Sequence, residues 1–285
     1  MKKLVTFGLA VLLSFTAVIT KAQDKSILWE ISGNGLSQPS YLLGTIHVMC
    51  KKDFEMKPKV LKALEKSESL VMEINYTDPG EMTALQKMLQ ADKKISEQLT
   101  STEANELDEI LKEYHTNLQN VDNYSSQALY ALISTKAIPC PQTEVKMYEL
   151  ELLQKALKEK KSIKGLESVN DQLNSINKAY HLKDIIAQLK MGKEYEILMQ
   201  KTINAFKNED LKTLDMLLKD KRFMNEKQEE AMLSNRNKNW VEKMPEMMKK
   251  ERSFFAVGSG HLWGDNGLIS LLKSKGYTVK PISNL

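Results

Sequence analysis

Residues 254–261 read Phe-Phe-Ala-Val-Gly-Ser-Gly-His, an apolar run that breaks at Gly258 and delivers His261 three residues later. Near the other end of the chain, residues 41–47 read Tyr-Leu-Leu-Gly-Thr-Ile-His, the same pattern ending at His47. Each apolar run has the length of a buried strand, and glycine lets the chain leave a strand tightly. A helical pattern and then another strand pattern follow each run, so the two form a weak internal repeat. Neither end holds enough strands to bury a core of its own. The simplest assembly therefore brings both ends into one sheet. His47 and His261 would then stand beyond the carboxyl ends of strands in that sheet, the edge where open α/β sheets build ligand sites.

Around these runs the text supplies the remaining elements. Ser26–Ser32 and Tyr41–His47 flank a turn rich in Gly33, Asn34, Gly35 and Pro39, which predicts a hairpin. A helix is expected over about Lys57–Ser67, from Val60, Leu61 and Leu64 on one face, and a buried strand over Ser69–Asn75. From Glu81 to about Met248 the pattern is helical, including a helix over Met147–Lys160, with one strand-like interruption at Ser162–Glu167. Ser253–Gly258, Asn266–Lys275 and Tyr277–Ile282 close the chain as strand, helix and strand. The fold class is α+β: a mixed central sheet built from the N- and C-terminal segments, 23–80 and 250–285, with a large helical insertion over 81–249.

The first 22 residues stand apart. Lys2 and Lys3 precede an apolar stretch from Leu4 to Ile19, and Thr20-Lys21-Ala22 offers a cleavage site, which reads as a secretory signal peptide. A retained membrane anchor is the alternative, but the run falls short of the roughly 20 residues a spanning helix needs. Cleavage near Ala22 removes three lysines and no acid, so the formal charge of +4 falls to +1. The expectation is an exported chain, periplasmic or secreted, with no stable membrane insertion. Scattered Lys and Glu give no basic footprint for nucleic acid. Cys50 and Cys140 form one disulfide in an oxidising compartment or stay as two buried thiols; the text supports both.

Chemistry concentrates in a few residues. Gly258-Ser-Gly260 lacks the third glycine of a dinucleotide fingerprint, and no P-loop is present. Glu73 interrupts the apolar run Leu70-Val-Met-Glu-Ile. A carboxylate buried there must be paired, protonated or metal-bound. With His47 and His261 at the same edge it completes a His/His/carboxylate set suited to zinc or another divalent ion. Arg236 is one of three arginines against 38 lysines. It either clamps a substrate carboxylate or oxyanion or forms an ion pair with Glu73. His115 and His181 lie in polar helical text and read as surface groups.

Five short motifs in order, GTIH (44–47), VMEIN (71–75), GLES (165–168) with Gln172 after it, SNRNKNW (234–240) and AVGSGHLWGDNGL (256–268), resemble the TraB/GumN family. The resemblance covers nearly all of the chain beyond residue 22, and extends to erythromycin-esterase-like and ChaN-like folds. The family includes the Tiki metalloproteases, whose paired Gly-x-x-His motifs, glutamate and arginine are matched by His47, His261, Glu73 and Arg236. Glu149 stands where the family pattern leads one to expect Asp. The resemblance implies a metal-dependent hydrolase, with a peptide or small-molecule substrate, although many bacterial members have no assigned activity. His47, His261 and Glu73 would hold Mn²⁺, Co²⁺ or Zn²⁺. Glu73 would be ligand or general base, Glu167 a further ligand or base, and Arg236 the oxyanion or substrate partner. The alternative is a non-catalytic protein that holds a peptide or other ligand in the same cleft.

Overall fold

The computed structural model describes residues 25–283. The signal peptide expected over residues 1–22 lies outside that range. Six strands form one mixed sheet: β1 (Leu28–Ser32), β2 (Ser40–Thr45), β4 (Ser69–Met72), β6 (Ser162–Gly165), β7 (Ser253–Gly258) and β8 (Thr278–Pro281), in the order β6-β4-β7-β2-β1-β8. The strands β6, β4, β7 and β2 run parallel, and β1 lies antiparallel between β2 and β8. The two glycine-histidine runs are direct neighbours. Leu42 pairs with Phe255 and Gly44 with Val257.

Composition explains the layout. Every residue of β2 and β4, and all of β7 except Gly258, is buried, as befits parallel strands covered on both faces. The predicted hairpin forms, and its turn takes positive φ at Gly33, Asn34 and Gly35, a region open to glycine and tolerated by asparagine. The first helix, α1 (Pro58–Lys66), starts on the proline that suits a first helical position. It buries Val60 and Leu64 against the sheet core around Leu43, Val71 and Phe254. The helical middle has a second core, in which Leu107, Leu111, Leu129, Ile133 and Ile185 meet.

The mixed sheet flanked by helices is as expected, and the strand expected at Ser162–Glu167 is β6, which joins that sheet as one edge. Two local expectations need correction. A second, two-stranded ribbon pairs β3 (Val48–Cys50) with β5 (Val145–Met147), so Met147 ends a strand and the helix α2 (Tyr148–Lys158) starts after it. Strand β4 stops at Met72, so Glu73 does not interrupt a strand but stands just past its carboxyl end. Cys50 and Cys140 are joined in a disulfide that closes the ribbon's outer end. Among the described residues no helix is long and apolar enough to cross a membrane.

Candidate functional site

Four adjacent parallel strands end at one edge of the sheet, and each hands over to a chemically active side chain. Glu167 follows β6, Glu73 follows β4, His261 follows β7 and His47 follows β2. The paired glycines make this convergence possible. A Cβ on Gly44 would lie 2.8 Å from Leu262 Cδ2 and 3.1 Å from Ser259 Cα, so the first motif packs directly on the loop that carries His261. A Cβ on Gly258 would sit 3.5 Å from Glu73 Oε1 and 3.6 Å from His47 Nε2. The missing side chain thus leaves a small space bounded by a carboxylate and an imidazole.

Each imidazole is fixed through its Nδ1. His47 Nδ1 donates to Glu149 Oε1 at 2.8 Å, and Glu149 also accepts from Thr45 Oγ1 at 2.6 Å. Asn237 Nδ2 donates to the carbonyls of Asn266 and His261. Its Oδ1 is therefore the acceptor facing His261 Nδ1 at 2.7 Å, which makes that nitrogen the protonated one. The Nε2 of His47 then lies beside Gly258, and that of His261 faces Arg236 Nη1. The environments differ sharply. His47 reaches solvent, with 65% of its side chain exposed, whereas His261 is buried against Trp240. Glu149 raises the His47 pKa to about 9. Burial, then the Arg236 charge, lowers that of His261 to about 3, so it is a neutral imidazole.

Arg236 is the buried hub. It is the second residue of the helix α3 (Asn235–Lys250), which directly follows a wide π-type turn over Glu230–Ser234, a feature frequent at functional sites. Its Nη1 donates to the Met232 carbonyl at 2.9 Å and faces His261 Nε2 at 3.2 Å. Its Nη2 bridges Glu73 Oε2 at 2.5 Å and Glu167 Oε1 at 2.6 Å. Burial works against an ionised Glu73, but Arg236 and the Gly258 N–H, which donates to Oε1 at 2.8 Å, outweigh it and hold the carboxyl well below its usual range. Burial pushes Glu167 upward against the pull of Arg236, and Trp240 Nε1 also donates to it. Gln172 Nε2 lies 3.2 Å from Glu73 and 3.3 Å from Glu167.

All five singled-out residues meet at this edge, and the ion pair between Arg236 and Glu73 is present alongside a second to Glu167. His115 and His181 lie elsewhere and are exposed. Among the described residues no group of three or more His, Cys, Asp and Glu side chains already converges as a metal cage. Sequence reasoning missed Asn237 and Trp240 as partners of His261 and Glu167, and left Glu149 without a role. The only signal for Asn237 was its place beside Arg236.

A family model described as the TraB/PrgY/gumN family matches residues 27–281. The chain belongs to that family. This TraB/PrgY/gumN member is similar to Metalloprotease TIKI1 of Danio rerio, at 22% identity over 324 aligned positions covering 90% of this chain. The chain spans only 63% of that relative's length. No solved structure matches it.

Proposed function

We propose that the chain is an exported, metal-dependent hydrolase acting on peptides, with His47, His261 and Glu73 as the metal donors. One observation carries the reading. Two imidazoles from neighbouring parallel strands each have Nδ1 engaged by a side-chain oxygen, the arrangement that orients metal-ligating histidines. The space beside Gly258, bounded by Glu73 Oε1 and His47 Nε2, fits a small cation with these oxygen and nitrogen donors. The His261 Nε2 lone pair presently accepts from Arg236 Nη1 at 3.2 Å, a long contact that ligation would replace. The similarity to a metalloprotease and the disulfide, which belongs in an oxidising compartment, support the same reading.

A divalent ion held there supplies Lewis acidity toward a carbonyl and lowers the pKa of water. The chain's own residues do the rest. Glu149 and Thr45 fix the ring of His47, and Asn237 fixes the tautomer of His261. Arg236 keeps Glu73 anionic, ready to bind a cation. Its guanidinium also offers positive charge where an oxyanion develops.

The test is metal analysis of the purified mature protein, then digestion of a diverse peptide library with and without Mn²⁺, Co²⁺ or Zn²⁺. Metal-dependent cleavage lost in His47→Ala and in His261→Ala is expected. No bound metal and no metal-dependent cleavage would leave a non-catalytic binding protein, and retained activity in either variant would remove the site assignment.

A further inference from the structure

A second feature lies one helix away from the carboxylates. A groove of about 620 Å³ runs between the helix Pro79–Met88, the segment after it, and the helix Val169–Ala179. That volume is within the range of ligand clefts, about 300–1,000 Å³. Five of its nineteen lining residues are carboxamides, Gln90, Gln98, Gln127, Asn170 and Asn177, and the exposed ring of Tyr124 stands beside them. Its charged groups, Lys87, Asp92 and Lys93, leave a single positive charge in excess. Gln90 and Asn170 each carry donors and an acceptor, the hydrogen-bonding character of a peptide unit. Gln98 donates to the Lys93 and Lys94 carbonyls and Gln127 to Asn177, which leaves the Gln98 and Gln127 oxygens and the Asn177 amide to face a ligand.

The groove is tied to the site by the chain itself. Its two helical walls are the helices directly downstream of β4 and β6, the strands that deliver Glu73 and Glu167. Glu81 of one wall accepts from the Val169 N–H at the start of the other. On the helix Val169–Ala179, Asn170, Leu173 and Asn177 line the groove, while Gln172 on another face reaches Glu73 and Glu167. One helix thickness, about 10 Å, separates groove from carboxylates. At the groove wall, Gln90 and Tyr124 form an isolated antiparallel bridge, with Ala91 N–H donating to the Asn123 carbonyl.

We propose that this groove is an extended-substrate subsite that binds the main chain of a neutral, polar peptide segment and feeds its continuation to the Glu73 edge. The proposal rests on the peptide-hydrolase reading for its choice of ligand. The ring of Tyr124 anchors one side chain, Gln90 and Asn170 pair with a peptide unit, and the Gln98 and Gln127 oxygens and the Asn177 amide, which their internal hydrogen bonds leave open, meet the next ones.

The experiment uses the metal-free mature protein and a fluorescein-labelled 15-residue peptide of Gly, Ser, Asn, Gln and Leu, read by fluorescence anisotropy. Two variants are compared with wild type: Tyr124→Ala, and Gln127→Leu with Asn177→Leu together. The double change removes both members of a 2.8 Å hydrogen-bonded pair, so neither is orphaned. Binding weakened at least tenfold in both, with unchanged thermal midpoints, is expected. No binding to wild type, wild-type affinity in the variants, or displacement of the peptide by a neutral N-acetylglucosamine oligomer would overturn the proposal. Peptide binding without cleavage under any metal would sink the hydrolase reading and leave the groove standing. Cleavage of long peptides with a KM indifferent to both variants would do the reverse.

Discussion

His47 and His261 share a local motif and end with different protonation. In the metal-free protein at neutral pH, Glu149 keeps His47 charged with a pKa of about 9, while burial and Arg236 leave His261 neutral with a pKa of about 3. The proposed metal ligation needs both neutral, so binding at His47 would release a proton. The linkage signs follow from an unfolded value of about 6.5. The contribution of His47 to stability is complete below that value and is lost as pH rises through about 9. The depressed pKa of His261 makes stability fall as pH drops from about 6.5 toward 3, because only the unfolded chain takes up that proton. Glu149→Gln should move the His47 Cε1–H titration, followed by NMR, from about 9 toward 6.5, and flatten the alkaline limb of the stability profile. A midpoint still near 9 would contradict the pairing. Gly258→Ala makes a second test at this scale. Its methyl would meet Glu73 and His47 at ordinary contact distances. The fold should therefore hold within a degree or two of its Tm, while divalent-ion affinity, measured by calorimetry, drops at least tenfold. Equal affinity would mean that the space beside Gly258 is not where the ion sits.

The ribbon of β3 and β5 is the element that aims His47. Its inner end is closed by the Tyr148 N–H donating to the His47 carbonyl at 3.1 Å, with Glu149 following at once, and its outer end by the disulfide. Breaking Cys50–Cys140, which spans 90 positions of sequence, should cost about 2–4 kcal/mol of unfolding free energy. The freed ribbon should also lower metal-dependent activity in Cys50→Ser/Cys140→Ser. Wild-type activity in that variant under oxidising conditions would limit the disulfide to stability alone. This ribbon also marks what the sequence hides. β2, β4 and β7 are continuous apolar runs and legible as strands, because burial on both faces leaves no other pattern. β3 and β5 have three residues each, and Met147 fits the helical spacing of the segment after it. Likewise His47, Glu73, Arg236 and His261 stand out by residue type and context, whereas Glu149 becomes their partner only when a position 102 residues from His47 is folded against it.

Across the whole molecule, buried charge pins all three segments of the chain along the same edge of the sheet. On the β4 and β6 side, Arg236 from the middle segment joins Glu73 from the first block and faces His261 from the last. On the β1 and β8 side, Lys59 of α1 bonds Glu209 of the middle segment, Ser26 Oγ and the Ile282 carbonyl, while Ile27 N–H donates to the same Glu209. Burial pulls the Lys59 pKa down and its bond to Glu209 opposes that pull. The two clusters have different duties. Arg236 lies among the proposed donors, so its loss mixes stability with activity. Lys59 touches none of them and isolates the mechanical contribution. Lys59→Met removes one cationic partner of Glu209, which is 2% exposed, and leaves Lys57 beside it at 2.9 Å. Breaking a buried pair from one side typically costs 3–5 kcal/mol, whereas replacing both members with apolar groups is often near neutral. Urea unfolding of Lys59→Met should therefore show a loss of about 3 kcal/mol, reduced because Lys57 remains. Lys59→Met/Glu209→Leu should recover part of it, the rest being the acceptor that Ile27 N–H loses. Since each cluster crosses segment boundaries, both variants should unfold in one transition with an unchanged m-value. A split transition, with the sheet and the helical core around Leu107 and Leu129 melting separately, would show that the charges along this edge do not couple the two cores.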